Sequence, residues 1–241
     1  MNSPSSGPLE EIGTPYSKDV APQALYIAPF DELFSRPSVF MSASVADPAR
    51  GNEYRSPLQP AHLIRDAVIQ LGHFVFARGW NLVFGGHPTI SPMVLAVARN
   101  RLTGNEKLVV AFQSLVFKNV IPAETVQLWE HGSLLLTPQL ADEPSSLAEM
   151  RRLMVTVPDL RAAIFIGGMK GVREESEAFD LHNPACPRFA LGSTGSAAAD
   201  LLNREPNAHC GDNPGLLETL RDNRAYAVVM RRIFAVLDKK P

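Results

Sequence analysis

The chain is poor in cysteine: Cys186 and Cys210 are its only two in 241 residues. With no histidines at ligand spacing beside them, they make neither a disulfide framework nor a zinc site. Two free thiols in a reducing cytoplasm are the expected state. An excess of charge of one sign is also missing, since 23 Lys and Arg stand against 25 Asp and Glu. That balance argues against a nucleic-acid partner and against an acidic solvating tail. No uninterrupted apolar run approaches the ~20 residues that a membrane helix needs. Residues Met1 to Glu11 lack the basic and apolar regions of a signal peptide. A cytoplasmic protein without a membrane partner is expected. The GxGxxG and GxxxxGK[ST] phosphate motifs are absent, which argues against an ordinary dehydrogenase or ATPase, and HExxH and GxSxG are absent too. No cofactor and no metal are expected.

What is present is enough apolar material, 45% of the chain, for one sizeable core. Residues 1–36 read as an amino-terminal arm, disordered over its polar, proline-bearing part and apolar from Leu25 to Phe34. Residues 37–241 read as one domain. In it, short apolar runs alternate with segments of helical periodicity. The runs are Ser38–Val45, Asn81–Phe84, Lys107–Phe112, Leu134–Leu136, Ala162–Ile166 and Arg188–Leu191. Between them, Leu63, Ala67, Leu71 and Val75, or Ile90, Val94 and Val97, mark helix faces. Ser145 or Ser146 is placed to cap the helix that carries Met150 and Met154. The strands are continuously apolar, as a parallel sheet covered on both faces requires. The expected fold is α/β, a Rossmann-like, doubly wound, mainly parallel sheet with helices on both faces.

Three strands run into glycine-rich loops that open helices: Gly85-Gly86-His87-Pro88-Thr89-Ile90-Ser91, Gly167-Gly168-Met169-Lys170-Gly171 and Gly192-Ser193-Thr194-Gly195. The first strand ends in Ser42-Ala43-Ser44. In a parallel sheet all these ends lie on one edge, where open α/β sheets bind ligands. Glycine lets backbone approach a ligand, and each following helix offers unpaired N–H groups to an anion such as phosphate. The expected ligand-binding residues are therefore Ser42, Ser44, Gly85, Gly86, His87, Thr89, Ser91, Gly167, Gly168, Gly192, Ser193, Thr194 and Gly195. Arg50 and Arg55, in the loop after the first strand, could pair with phosphates or simply be solvated. Glu174 and Glu175 sit where a carboxylate could hold ribose hydroxyls, act as a general base, or merely complement a helix dipole. Only about 100° separates consecutive helical residues, so at most one of the two should face the cleft.

The stretch Ile166-Gly-Gly-Met-Lys-Gly-Val-Arg-Glu-Glu175 resembles the PGGxGTxxE loop of the LOG phosphoribohydrolases, members of the SLOG superfamily. Ile166 and Val172 replace that motif's proline and threonine, and one residue is inserted. The Gly85 loop matches their GGGxxGLMG loop more loosely. Its wording, with the late Gly-Ser-Thr-Gly-Ser-Ala-Ala, is closer to the sensor branch that includes the SLOG domain of the Thoeris effector ThsA. The resemblance covers roughly residues 37–204. It implies a domain that binds a nucleotide-derived signal of ADP-ribose type, in a homo-oligomer, in bacterial defence. The 36 leading residues are too few for an effector domain, so a separate effector or signal-producing protein is the implied partner. The alternatives are an N-glycosidase acting on nucleoside monophosphates, with Glu174 or Glu175 catalytic, and a protein-interaction subunit with a degenerate cleft.

Overall fold

In the computed structural model, which describes residues 34–47, 59–103, 106–210 and 213–239, the apolar runs become six strands. They are β1 Ser38–Ser44, β2 Asn81–Gly85, β3 Val109–Ser114, β4 Gly132–Thr137, β5 Leu160–Gly167 and β6 Arg188–Leu191. All pair in parallel. The order across the sheet is β4-β3-β2-β1-β5-β6. The chain thus builds outward from β1 to β4, then returns to the other flank of β1 for β5 and β6. This reversal between β1 and β5 is a topological switch point, where loops diverge and leave a crevice outside the carboxyl ends.

Parallel pairing requires crossovers, and helices supply them. They are α1 Ala61–Phe76, α2 Ser91–Arg101, α3 Ala123–Gln127, α4 Glu143–Val155, α5 Lys170–His182, α6 Ser196–Arg204, α7 Pro206–Cys210, α8 Pro214–Asp222 and α9 Tyr226–Leu237. Helix α1 packs against α2 and α9. Helix α4 lies on β2 and β3 and α5 lies on β1 and β5, the two helices in contact with each other. The expected class, a doubly wound Rossmann-like α/β fold, is the one observed. Its centre is aromatic. The Phe40 ring stacks on Phe179 at 6.0 Å, and Phe165 meets both edge-on at 6.4 and 6.5 Å. All three are fully buried, each contributing roughly 2–3 kcal/mol of transfer free energy. This cluster fixes α5 against β1 and β5.

Three local expectations change. Asp142, not Ser145 or Ser146, caps α4: its carboxylate accepts from the Ser145 N–H at 2.7 Å. Ser146 lies inside the helix and turns its hydroxyl back to the Asp142 carbonyl at 2.6 Å. Helix α5 starts at Lys170, so Glu174 and Glu175 stand in its second turn and cannot serve as first-turn dipole partners. Residues 206–210 and 214–222, for which periodicity suggested no element, form α7 and α8. The polar arm up to residue 33, Arg50 and Arg55 fall outside the described residues.

Candidate functional site

The sheet's carboxyl edge holds a cleft of about 620 Å³. Its floor comes from Ala43 and Ser44 of β1, Gly85 and Gly86 at the end of β2, and Gln113 of β3. One wall is α4, through Glu143, Leu147, Met150 and Arg151. The other is the start of α5, from Met169 to Val172, with Glu175. Phe117, Val120 and Pro122, in the connection after β3, complete an apolar side. The cleft therefore spans the ends of β3, β2, β1 and β5 and includes the switch point.

Glycine is required in two places for different reasons. Gly168 has φ +87°, and a side chain there would also overlap Val172. That turn, anchored by the Gly168 N–H on the Ser44 carbonyl at 2.8 Å, brings the start of α5 across the end of β1. Gly86 has no such backbone demand. Its Cβ would stand 2.5 Å from Gln113 Oε1 and 2.8 Å from Thr125 Cγ2, so the space is already taken by the neighbouring strand's side chain.

The β2 loop is braced from within. Ser91 Oγ accepts from the His87 N–H at 3.2 Å and from the Thr125 hydroxyl at 2.7 Å. Thr89 Oγ1 accepts from the Val45 N–H at 3.3 Å and lies 2.9 Å from His87 Nδ1. Nδ1 also accepts from the Thr89 N–H at 3.2 Å, which places the proton of the neutral ring on Nε2. Thr89 and Ser91 thus hold the loop's shape, and His87 lines the cleft as a side chain of fixed tautomer.

Charge collects on the α5 side. Among the described residues the N-cap of α5, Met169, makes no side-chain cap bond, so the amino end of the helix presents unpaired N–H groups and its positive dipole end. Lys170 and Arg151 line the cleft beside it. Glu174 turns away from the cleft and bridges both cations, 2.8 Å from Arg151 Nη2 and 3.4 Å from Lys170 Nζ. It faces an outer groove between α4 and α5. Glu175 is the carboxylate that lines the cleft. Lost hydration raises its pKa above the ordinary glutamate value, more than the nearby Ser42 hydroxyl and Arg151 lower it. Ser42, fully buried, stands beside Glu175 outside strict hydrogen-bond geometry.

Of the residues expected at the site, Ser44, Gly85, Gly86, His87 and Glu175 come together around the cleft. Gly167 and Gly168 shape the turn beneath it. The Gly192–Gly195 loop lies on the same sheet edge but away from the cavity. Thr194 Oγ1 donates to the Leu191 carbonyl at 2.5 Å and accepts from the Gly167 N–H at 2.7 Å. Ser193 Oγ pairs with the Tyr226 hydroxyl at 3.4 Å. Both side chains are buried. Sequence reasoning missed Gln113, Arg151, Lys170 and the apolar side. Glu143, Leu147 and Arg151 recur at four-residue steps and could have been read as a second face of α4.

Fold and cleft together define a Rossmann-like domain with a ligand-sized crevice at its switch point. The chain belongs to the SLOG cluster3 family, whose model matches residues 58–232. That match is to the family and does not single out the Thoeris-type sensors. No curated protein matches the chain. Similar solved structures include the X-ray structure of TM1055, a structural-genomics target. It is 15% identical, covering 69% of this chain and 81% of that one, with a TM-score of 0.48. Another is DNA processing protein A from Helicobacter pylori, described for its single-stranded DNA binding mode. It is 12% identical, covering 78% of this chain and 82% of that one, with a TM-score of 0.49. Among the described residues no helix is long and apolar enough to cross a membrane, and no group of three or more His, Cys, Asp or Glu could hold a metal ion.

Proposed function

We propose that this chain binds a nucleotide-derived ligand, of ADP-ribose type or a related signal, and senses it without cleaving it. One observation carries the reading. A single cleft joins the uncapped start of α5, Lys170 and Arg151 to an apolar side built by Phe117, Val120, Leu147 and Met150. Phosphate suits the first half: backbone N–H groups and a helix dipole favour an anion there, and Lys170 and Arg151, both held by Glu174, can share their N–H groups with it. A heterocyclic ring suits the second. Between them, Ser44, His87 and Glu175 offer hydrogen bonds for sugar hydroxyls. The ligand acts on a homo-oligomer, and a separate effector reads the outcome.

A second reading, N-glycosidase action, is favoured by Glu175, whose raised pKa keeps a proton to higher pH than an ordinary glutamate. Such a carboxyl could protonate a departing base. Sensing is preferred because Val172 stands where the resembling enzymes carry threonine, and its apolar side chain packs over Gly168 instead of offering a hydroxyl. The test is mass spectrometry of molecules that copurify with the chain, then incubation with AMP, NAD and ADP-ribose. Sensing is supported by a thermal shift with the nucleotide recovered intact. Released adenine or nicotinamide supports the glycosidase. Neither shift nor release with any of the three removes both readings. A monomer mass by light scattering, with and without nucleotide, removes the oligomer.

A further inference from the structure

One buried polar atom of the cleft has no hydrogen-bond partner among the described residues. Gln113, at the end of β3, is 4% exposed and lines the cavity. Its Oε1 is that atom. Its Nε2 donates to the Ser114 carbonyl at 3.4 Å. The amide is thus oriented, with nitrogen toward its own strand and oxygen over Gly86, where the missing side chain leaves room. Exchanging the two ends would forfeit the bond to Ser114 and leave a donor unpaired in place of an acceptor.

The surroundings say what kind of group the oxygen awaits. Phe117, Val120 and Pro122 follow Gln113 within nine residues and line the same cavity, with Met150 of α4 joining them. Val120 is 71% exposed, unusually so for a large apolar residue. Lys170 belongs to α5, and Arg151 of α4 turns to Glu174 of α5, so charge gathers on that side and leaves Phe117, Val120, Pro122 and Met150 around the one oriented acceptor. Flat, uncharged and edged with N–H is the ligand chemistry that fits.

We propose that Gln113 selects the ring of the ligand: its carboxamide oxygen accepts from the exocyclic amine of an adenine-type heterocycle lying against Phe117, Val120, Pro122 and Met150. The inference rests on the nucleotide reading above and adds to it the identity of the ring edge. An amine completes the orphaned acceptor. A keto group at the same position faces oxygen with oxygen and leaves both unpaired. Sites built to hydrogen-bond one group reject the analogue that lacks it far more strongly than apolar pockets discriminate size.

The test compares AMP with IMP, which differ at that edge, by calorimetric titration of the wild type and of Gln113→Met. Methionine has similar length and no comparable acceptor. The wild type should bind AMP about tenfold or more tightly than IMP, one good hydrogen bond's worth of discrimination. In Gln113→Met the preference should fall to about twofold or less, with AMP weakened and IMP little changed. Thermal unfolding should show the variant at least as stable as the wild type, since a buried unpaired oxygen has been removed. Equal wild-type affinities for AMP and IMP overturn the inference and leave the nucleotide reading standing. So does a preference that survives in Gln113→Met. No binding of either nucleotide to the wild type overturns both.

Discussion

Two glycine-rich strand ends of this sheet look alike in sequence and end up doing different things. The loop after β2 opens onto a cleft of about 620 Å³, with Gly85, Gly86 and His87 on its surface. The loop after β6 is closed over. Helices α6 and α8 pack against Gly192–Thr194, and α7 lies on β6. Its hydroxyls are used on Leu191, Gly167 and Tyr226. The difference comes from what the chain does next. After β2 it makes a crossover helix and moves outward to β3, leaving the edge open beside the switch point. After β6 the described residues form helices that pack back over the strand's end. Glycine after a strand therefore marks a place where backbone may be approached closely, by a ligand or by the protein itself.

The largest effect that separates the two regions should come from their arginines. Arg151→Gln removes a cation from the cleft and should weaken binding of ADP-ribose by about 10- to 100-fold, at 1.5–3 kcal/mol for a charged hydrogen bond. Arg188→Gln, at the amino end of β6 and away from the cleft, breaks pairs with Asp180 and Glu205 and should leave that affinity unchanged while lowering the urea midpoint. Calorimetry and urea denaturation on both variants check this. An affinity loss in Arg188→Gln would show that the two regions are not independent.

Glycine replacement should divide in the same way, with a smaller effect. Gly192→Ala brings a Cβ to 2.8 Å from Leu202 and 3.4 Å from the Leu220 carbonyl, overpacking worth roughly 1–3 kcal/mol, visible as a lower melting temperature with affinity intact. Gly86→Ala should displace Gln113 and lower both. Differential scanning calorimetry with and without ADP-ribose separates these outcomes.

The pH dependence has opposite signs in the two regions. His209 of α7 is buried beside Arg188, and lost hydration followed by that charge lowers its pKa from 6.5 to about 4. The unfolded chain then binds the proton more tightly, so stability is full above pH 6.5 and falls as pH drops toward 4, by on the order of a few kcal/mol. His209→Gln should flatten that limb. Glu175 behaves in the other direction. Its raised pKa makes the folded chain hold the proton, so its contribution is full below pH 4.5 and is lost as pH rises through the raised value. Glu175→Gln should therefore gain stability at pH 7.5 and gain nothing at pH 4. Urea titrations at the two pH values decide both, and a gain for Glu175→Gln at pH 4 alone would contradict the raised pKa.

The strands were legible in the sequence because a parallel sheet buried on both faces needs unbroken apolar runs, and the Ala162–Ile166 run lies wholly inside β5. Helix starts were less so. Asp142, Ser145 and Ser146 all have capping chemistry, and only the direction of chain entry chooses Asp142. At the site, glycines betrayed the β2 and β5 loops. Arg151 and Gln113 were hidden because their roles come from packing: one lies on the rim of a helix whose apolar face drew the reading, the other at the end of a strand read as stopping at Phe112. The β6 loop misled because its sequence shows glycines and hydroxyls but not the packing of α6 and α8 over them.

The most direct measurement is calorimetric titration of ADP-ribose into the wild type, Gly86→Asp, Lys170→Glu and Ser193→Ala, with circular dichroism to confirm folding. Lys170 is largely exposed, so its variant should fold as the wild type does. Binding by the wild type and Ser193→Ala, weakened at least about tenfold in Lys170→Glu and in Gly86→Asp, is the result that a cleft at the ends of β3, β2, β1 and β5 predicts, since the first change puts negative charge beside a phosphate and the second fills the cleft floor against Gln113. Unchanged affinity in both charged variants, or a loss confined to Ser193→Ala, would contradict it and move the site to the loop after β6.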